Sequence, residues 1–172
     1  MTPCRRNSAK GHFIMSLPTR KHPRLKDYDY SQCGCYHITI CTKGRNPILS
    51  QIFPATAQTE RAAVRLLPCG IVANRYIQSI PLAYSGVELI KYCIMPNHIH
   101  LLLLLESTAS VSVPILVRAF KRMVTKDIGR PVWQDSFYDV VIRNDAMFQC
   151  EWTYIDNNPD KWVEDELYTS CN

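Results

Sequence analysis

"SGVELIKYCIMPNHIHLLLLLE", residues 85–106, decides the fold. Two apolar runs flank Pro96-Asn97, so the stretch reads as strand, tight turn and antiparallel partner strand. Side chains alternate across a strand, which sends His98 and His100 to one face and Ile99 to the other. Their Cβ atoms would lie roughly 6–7 Å apart, within reach of a single cation. An imidazole inside an apolar strand costs free energy unless something bonds it. The plain explanation is two half-buried histidines bonded to neighbouring backbone. The sharper one is half of a metal site, placed at the head of the strand where solvent and substrate can arrive.

Outward from the hairpin, "GCYHITICT" (34–42) alternates and is rich in β-branched residues, the mark of a first core strand. Residues 43–60, with Gly44, Pro47 and Pro54, read as a loop, and "RAAVRLLP" as a short strand ending at Pro68. "CGIVANRYIQSI" (69–80) has helical spacing and is closed by Pro81. "SVPILVRAFKRMVTKDIG" (112–129) reads as a helix with Ile115, Leu116, Phe120, Met123 and Val124 inward and Gly129 as its stop. "PVWQDSFYDVVIRND" reads as irregular or briefly extended. Asn144 or Asp145 can cap a last helix that Pro159 ends. Strands mixed with helices around a central hairpin predict an α+β fold, an antiparallel sheet with helices packed on it.

At 172 residues the chain suits one domain. No stretch reaches the ~18 apolar residues of a membrane span, and the N-terminus lacks the apolar core of a secretory signal. A cytoplasmic protein with no membrane partner is the expectation. Eight cysteines occur with no C-x-x-C pair, so they are expected as free thiols; "CGC" at 33–35 is the only close pair that could take a metal. The charge is uneven. Residues 1–26 hold seven of the twenty basic residues and no acid, leaving thirteen basic against fifteen acidic elsewhere. The net charge of +5 is thus a basic, irregular arm over 1–26 on a near-neutral domain over 27–172, and such arms commonly follow a polyanion.

Of nine tyrosines, Tyr154 stands out, because Asn158 follows one helical turn later on the same face. "YCIMPNHIHLLLLL" (92–105) resembles the HUH signature, histidine–hydrophobic–histidine, of single-tyrosine DNA transposases, in particular the REP-associated tyrosine transposases. "TYIDNNPDKW" (153–162) is similar to that family's Y-I-x-x-N-P motif. Residues 24–45 resemble its opening strand and lead-in, and 119–145 its basic helix with the following W-Q-x-x-F-Y-D…I-R segment; residues 1–23 fall outside the likeness.

The resemblance implies a ferredoxin-like or RRM-like HUH nuclease sandwich. It implies that His98, His100 and Asn158 hold a divalent ion, Mg²⁺ or Mn²⁺, and that Tyr154 is the nucleophile, forming a 5′-phosphotyrosine. The implied partner is single-stranded DNA folded as a hairpin, in the nucleoid of a prokaryote, with the protein a monomer or homodimer. Arg118, Lys121, Arg122 and Lys126 on the predicted helix suit phosphate contacts, as do Arg24 and Lys26 of the arm and Arg143 of the I-R segment. Trp133, Phe137 and Tyr138 have two readings, stacking on unpaired bases or packing in the core. Two other readings compete: a domesticated or inactive module that binds DNA hairpins without cutting them, and a structural zinc domain indifferent to DNA.

Overall fold

The structure is a computed structural model and describes residues 28–162. The arm expected over 1–26, with Arg24 and Lys26, lies outside the described residues. The strands are β1 (Gly34–Cys41), β2 (Ser50–Phe53), β3 (Ala63–Leu66), β4 (Val87–Ile94), β5 (His98–Leu105) and β6 (Tyr138–Ile142). The helices are α1 (Pro68–Gln78), α2 (Ile80–Ala83), α3 (Val113–Ile128) and α4 (Asp145–Asn157).

Four strands form one antiparallel sheet in the order β4-β5-β1-β6. β1 crosses through α1 to β4, the predicted hairpin returns as β5, and α3 leads to β6. This is the β-α-β-β-α-β arrangement of ferredoxin-like folds. β5 is covered on both faces, by α1 and α3 on one and by α4 on the other, which explains its unbroken apolar run. The register sets His100 opposite Thr39 and Cys93, and His98 opposite Cys41.

The two faces of this sheet have different tasks. Tyr36, Ile38 and Ile40 of β1 and Ile99, Leu101, Leu103 and Leu105 of β5 join the core. Covering them are Ala73 and Ile77 of α1 and Val113, Leu116, Val117, Phe120 and Val124 of α3. Burial of that many large side chains, at ~1.5–3 kcal/mol each, is the main force holding the sheet to its helices. The other face carries His37 and Thr39 of β1 with His98 and His100 of β5, and α4 packs across it.

Several elements depart from the expectation. α3 begins at Val113, so its buried stripe runs 113, 116, 117, 120, 124 and leaves Ile115 on the outside, 56% exposed. Gly129 ends the helix in the left-handed conformation (φ 77°), as its position predicts. Pro81 does not close the preceding helix. α1 stops at Gln78, and Pro81 sits in the first turn of α2, where its missing N–H removes no bond. Within the expected loop 43–60, β2 pairs with β3 as a separate ribbon. The segment read as irregular or briefly extended takes the second form over Tyr138–Ile142, where β6 is an edge strand on β1.

Candidate active site

β5 and β1 bring three imidazoles into a row. His98 Nε2 and His100 Nε2 are 2.9 Å apart, and His37 Nε2 is 2.9 Å from His100 Nδ1. All three are buried. Their hydrogen bonds order the protons. His98 Nδ1–H donates to Asn97 Oδ1 (2.8 Å), and His37 Nδ1–H donates to the carboxylate oxygen Oε2 of Glu151 (2.6 Å). His37 Nε2 then accepts from His100 Nδ1–H, with Thr39 Oγ1 at 3.1 Å from the same nitrogen. With its proton on Nδ1, His100 keeps its lone pair on Nε2, the nitrogen that faces His98 Nε2. Burial first, then the neighbouring His98 and His37, holds the His100 imidazole well below its usual pKa, which agrees with a neutral ring.

α4 supplies the other half of the site. The Asn144 side chain accepts from Met147 N (2.9 Å) and fixes where the helix starts, as the sequence predicts. From there Glu151, Tyr154 and Asn158 fall on one stripe facing the sheet. Glu151 is buried at 1% exposure and Asn158 is also buried, while Tyr154 is half-buried. The Tyr154 ring lies edge-on to His100, 5.3 Å between centroids, and 5.9 Å from His37. Asn158 keeps right-handed helical angles (φ −59°, ψ −42°) despite preceding Pro159. Trp162 closes the far side, 5.9 Å from His98.

The helix is fastened near its end. Lys91 Nζ lies 2.5 Å from Asp156 Oδ1 and 3.6 Å over the Trp152 ring. Arg61, just before β3, reaches Asp156 Oδ2 (3.1 Å) and Asp160 Oδ2 (3.2 Å). The Lys91 ammonium, with Arg61 behind it, holds the Asp156 carboxyl below the usual carboxylate range.

The donor set fits a divalent ion. His98 Nε2 and His100 Nε2 face each other at 2.9 Å, close enough for both nitrogens to bind one ion at ~2.1 Å. His98 and His100 would hold it, with Asn158 as the candidate third ligand. Among the described residues, no three His, Cys, Asp or Glu side chains group as a metal cage, so the histidine pair is a partial shell. The six cysteines among the described residues are free thiols, and burial raises Cys35 to a pKa of about 11.

The residues expected to contact DNA are scattered. Arg118, Arg122 and Lys126 form an exposed stripe on α3, across the sheet from the histidines. The Lys121 ammonium is engaged, donating to the carbonyls of Gln134 (2.8 Å) and Ser136 (2.6 Å), and so braces the turn before β6. Trp133 is corrected from stacking platform to core residue. It is 7% exposed, pairs with Thr42 at the end of β1 and packs on Phe120, so its faces are covered. Phe137 is buried in the same core. Arg143 is exposed between β6 and α4. His37, Glu151 and Trp162 were not singled out by their sequence positions. The alternation of "YHITI" would have placed His37 on the polar face, though nothing local pairs it with His100.

Residues 30–158 match the model of a family described as IS200-like transposases. The chain belongs to that family. The matched span of this transposase contains His98, His100, Tyr154 and Asn158. It is 30% identical to an uncharacterized protein of Haemophilus influenzae over 174 residues, covering 87% of this chain and 93% of that one. In fold the transposase is similar to a solved REP-associated tyrosine transposase bound to a REP hairpin, with a TM-score of 0.58 and 20% identity over 80% of this chain and 73% of that one. Among the described residues, no helix is long and apolar enough to cross a membrane.

Proposed function

We propose that this transposase cuts and rejoins single-stranded DNA at hairpin elements, using Tyr154 as nucleophile and a divalent ion, Mg²⁺ or Mn²⁺, held by His98, His100 and Asn158. The observation that carries this reading is the Tyr154 ring resting 5.3 Å from that of His100, whose Nε2 faces that of His98, all within one subunit. The solved structure similar in fold is described as bound to a REP hairpin, which supports a hairpin as the substrate.

The Tyr154 hydroxyl attacks the scissile phosphorus. The new Oη–P bond replaces the P–O3′ bond, and the departing oxygen takes up a proton as a 3′-hydroxyl. The result is a 5′-phosphotyrosine. One phosphodiester has been exchanged for another, so attack by a second 3′-hydroxyl reverses the step without an energy donor. When bound, the ion would withdraw charge from the phosphate and favour loss of a phenol proton that ordinarily ionises near pH ~10. The packing of α4 against β4 and β5 holds the phenol beside the histidines.

The test is incubation with a hairpin-bearing single-stranded oligonucleotide and Mn²⁺, followed by a denaturing gel. A DNA-linked protein band is expected, lost in Tyr154→Phe although that variant still binds the hairpin. His98→Ala and His100→Ala should each abolish metal-dependent cleavage. Full cleavage by Tyr154→Phe, or cleavage undiminished by chelator, would overturn the assignment.

A further inference from the structure

Glu151 and His37 are buried polar groups that the chemistry above does not use. Glu151 is the acid on α4 that reaches into the sheet, where its Oε2 lies 2.6 Å from His37 Nδ1. His37 Nε2 in turn lies 2.9 Å from His100 Nδ1. No water is needed to connect them, and the chain ends at the ring whose Nε2 faces His98.

The direction of these bonds has a single origin. A carboxylate only accepts hydrogen bonds, so His37 must carry its proton on Nδ1. When the ring carries that one proton, its Nε2 is an acceptor and fixes the proton of His100 on Nδ1. The Nε2 of His100 is left with its lone pair, the form in which an imidazole binds metal. Thr39 Oγ1, 3.1 Å from His100 Nδ1, does not impose this order, because a hydroxyl can donate or accept. Reverse the polarity at position 151 and the whole chain can turn over. An amide N–H there would donate to His37 Nδ1, His37 Nε2–H would donate to His100 Nδ1, and the proton of His100 would move to Nε2.

We propose that Glu151 and His37 are positioning residues, a carboxylate–histidine relay that locks His100 in its metal-binding tautomer; the inference rests on the reading of His98 and His100 as metal ligands. The relay also ties the two halves of the site together. Glu151 lies one helical turn before Tyr154, so the bond that sets the ligand's proton also docks the nucleophile's helix.

The test uses the full chain and Mn²⁺, with free ion measured by electron paramagnetic resonance. Glu151→Gln preserves shape and should weaken Mn²⁺ binding about 10–100-fold, the usual effect of losing such an outer partner. His37→Gln should do the same. Melting temperature and hairpin binding in chelator should stay near those of the wild type. Long-range ¹⁵N–¹H spectra of the metal-free wild type should show His100 protonated on Nδ1, a result that needs no variant to fold. Mn²⁺ affinity within about twofold of wild type in a folded Glu151→Gln, or a wild-type His100 protonated on Nε2, would overturn the relay alone. A wild type that takes up no Mn²⁺ would overturn the metal reading and the relay with it.

Discussion

His100 shows how one side chain can be both anchored and poised. Its neutral form is built into the native state, while in the unfolded chain the ring takes a proton near the ordinary value of 6.5. The unfolded state therefore binds more protons below that pH, and stability from this residue is complete above about 6.5 and declines as pH falls through it. The urea midpoint of metal-free protein should drop between pH 7.5 and 5.5, and an unchanged midpoint would mean the ring can charge in place. Cys35 offers a second check. With burial raising its thiol to about 11, iodoacetamide at pH 8 should modify exposed Cys33 and spare Cys35, as read by peptide mass. The shared face of His98 and His100 was legible, because alternation needs only one strand. His37 was not, because its meeting with His100 depends on the β1–β5 register across 63 residues. Trp133 misled for the opposite reason. An aromatic beside basic residues looks the same in sequence whether its ring faces solvent or Phe120.

At the scale of elements, the site depends on how α4 is held. Lys91 bonds Asp156 and lies over Trp152, so Lys91→Ala should cost about 1–2 kcal/mol in denaturant unfolding. Because α4 carries Tyr154, the same change should reduce the DNA-linked product more than it reduces hairpin binding. On the far face, α1 approaches so closely that a Cβ on Gly70 would stand 1.9 Å from the Leu49 carbonyl oxygen. Backbone cannot yield as a side-chain tip can, and Gly70→Ala should destabilise by about 3 kcal/mol, measured by thermal or chemical unfolding. The long periodic elements β1, β4, β5, α3 and α4 were legible. β2 and α2 were not, since β2 lies in a stretch punctuated by Pro47 and Pro54 and α2 directly follows α1, where four residues display no period of their own.

For the molecule as a whole, charge and architecture are separable. The near-neutral domain presents the basic stripe of α3 on one side and the imidazoles on the other, while seven cations lie in residues 1–26. Deleting the arm through Arg24 should weaken hairpin binding mainly at low salt and flatten the slope of affinity against ionic strength. Equal affinity at every salt concentration would show that the arm does not touch DNA. The overall fold class was legible because the hairpin of 85–106 commits the chain to an antiparallel sheet; the strand order was not, as it is decided by crossovers rather than by any one stretch. β5 divides its labour between faces, with Ile99, Leu101 and Leu103 gripping the helices and His98 and His100 looking the other way. The hydrophobic grip comes from one face of the strand and the candidate chemistry from the other, where His100 is held through His37 to Glu151 of α4. On the proposed function, a copy that lost either imidazole would forfeit its chemistry while keeping the Ile99, Leu101 and Leu103 surface that seats the helices.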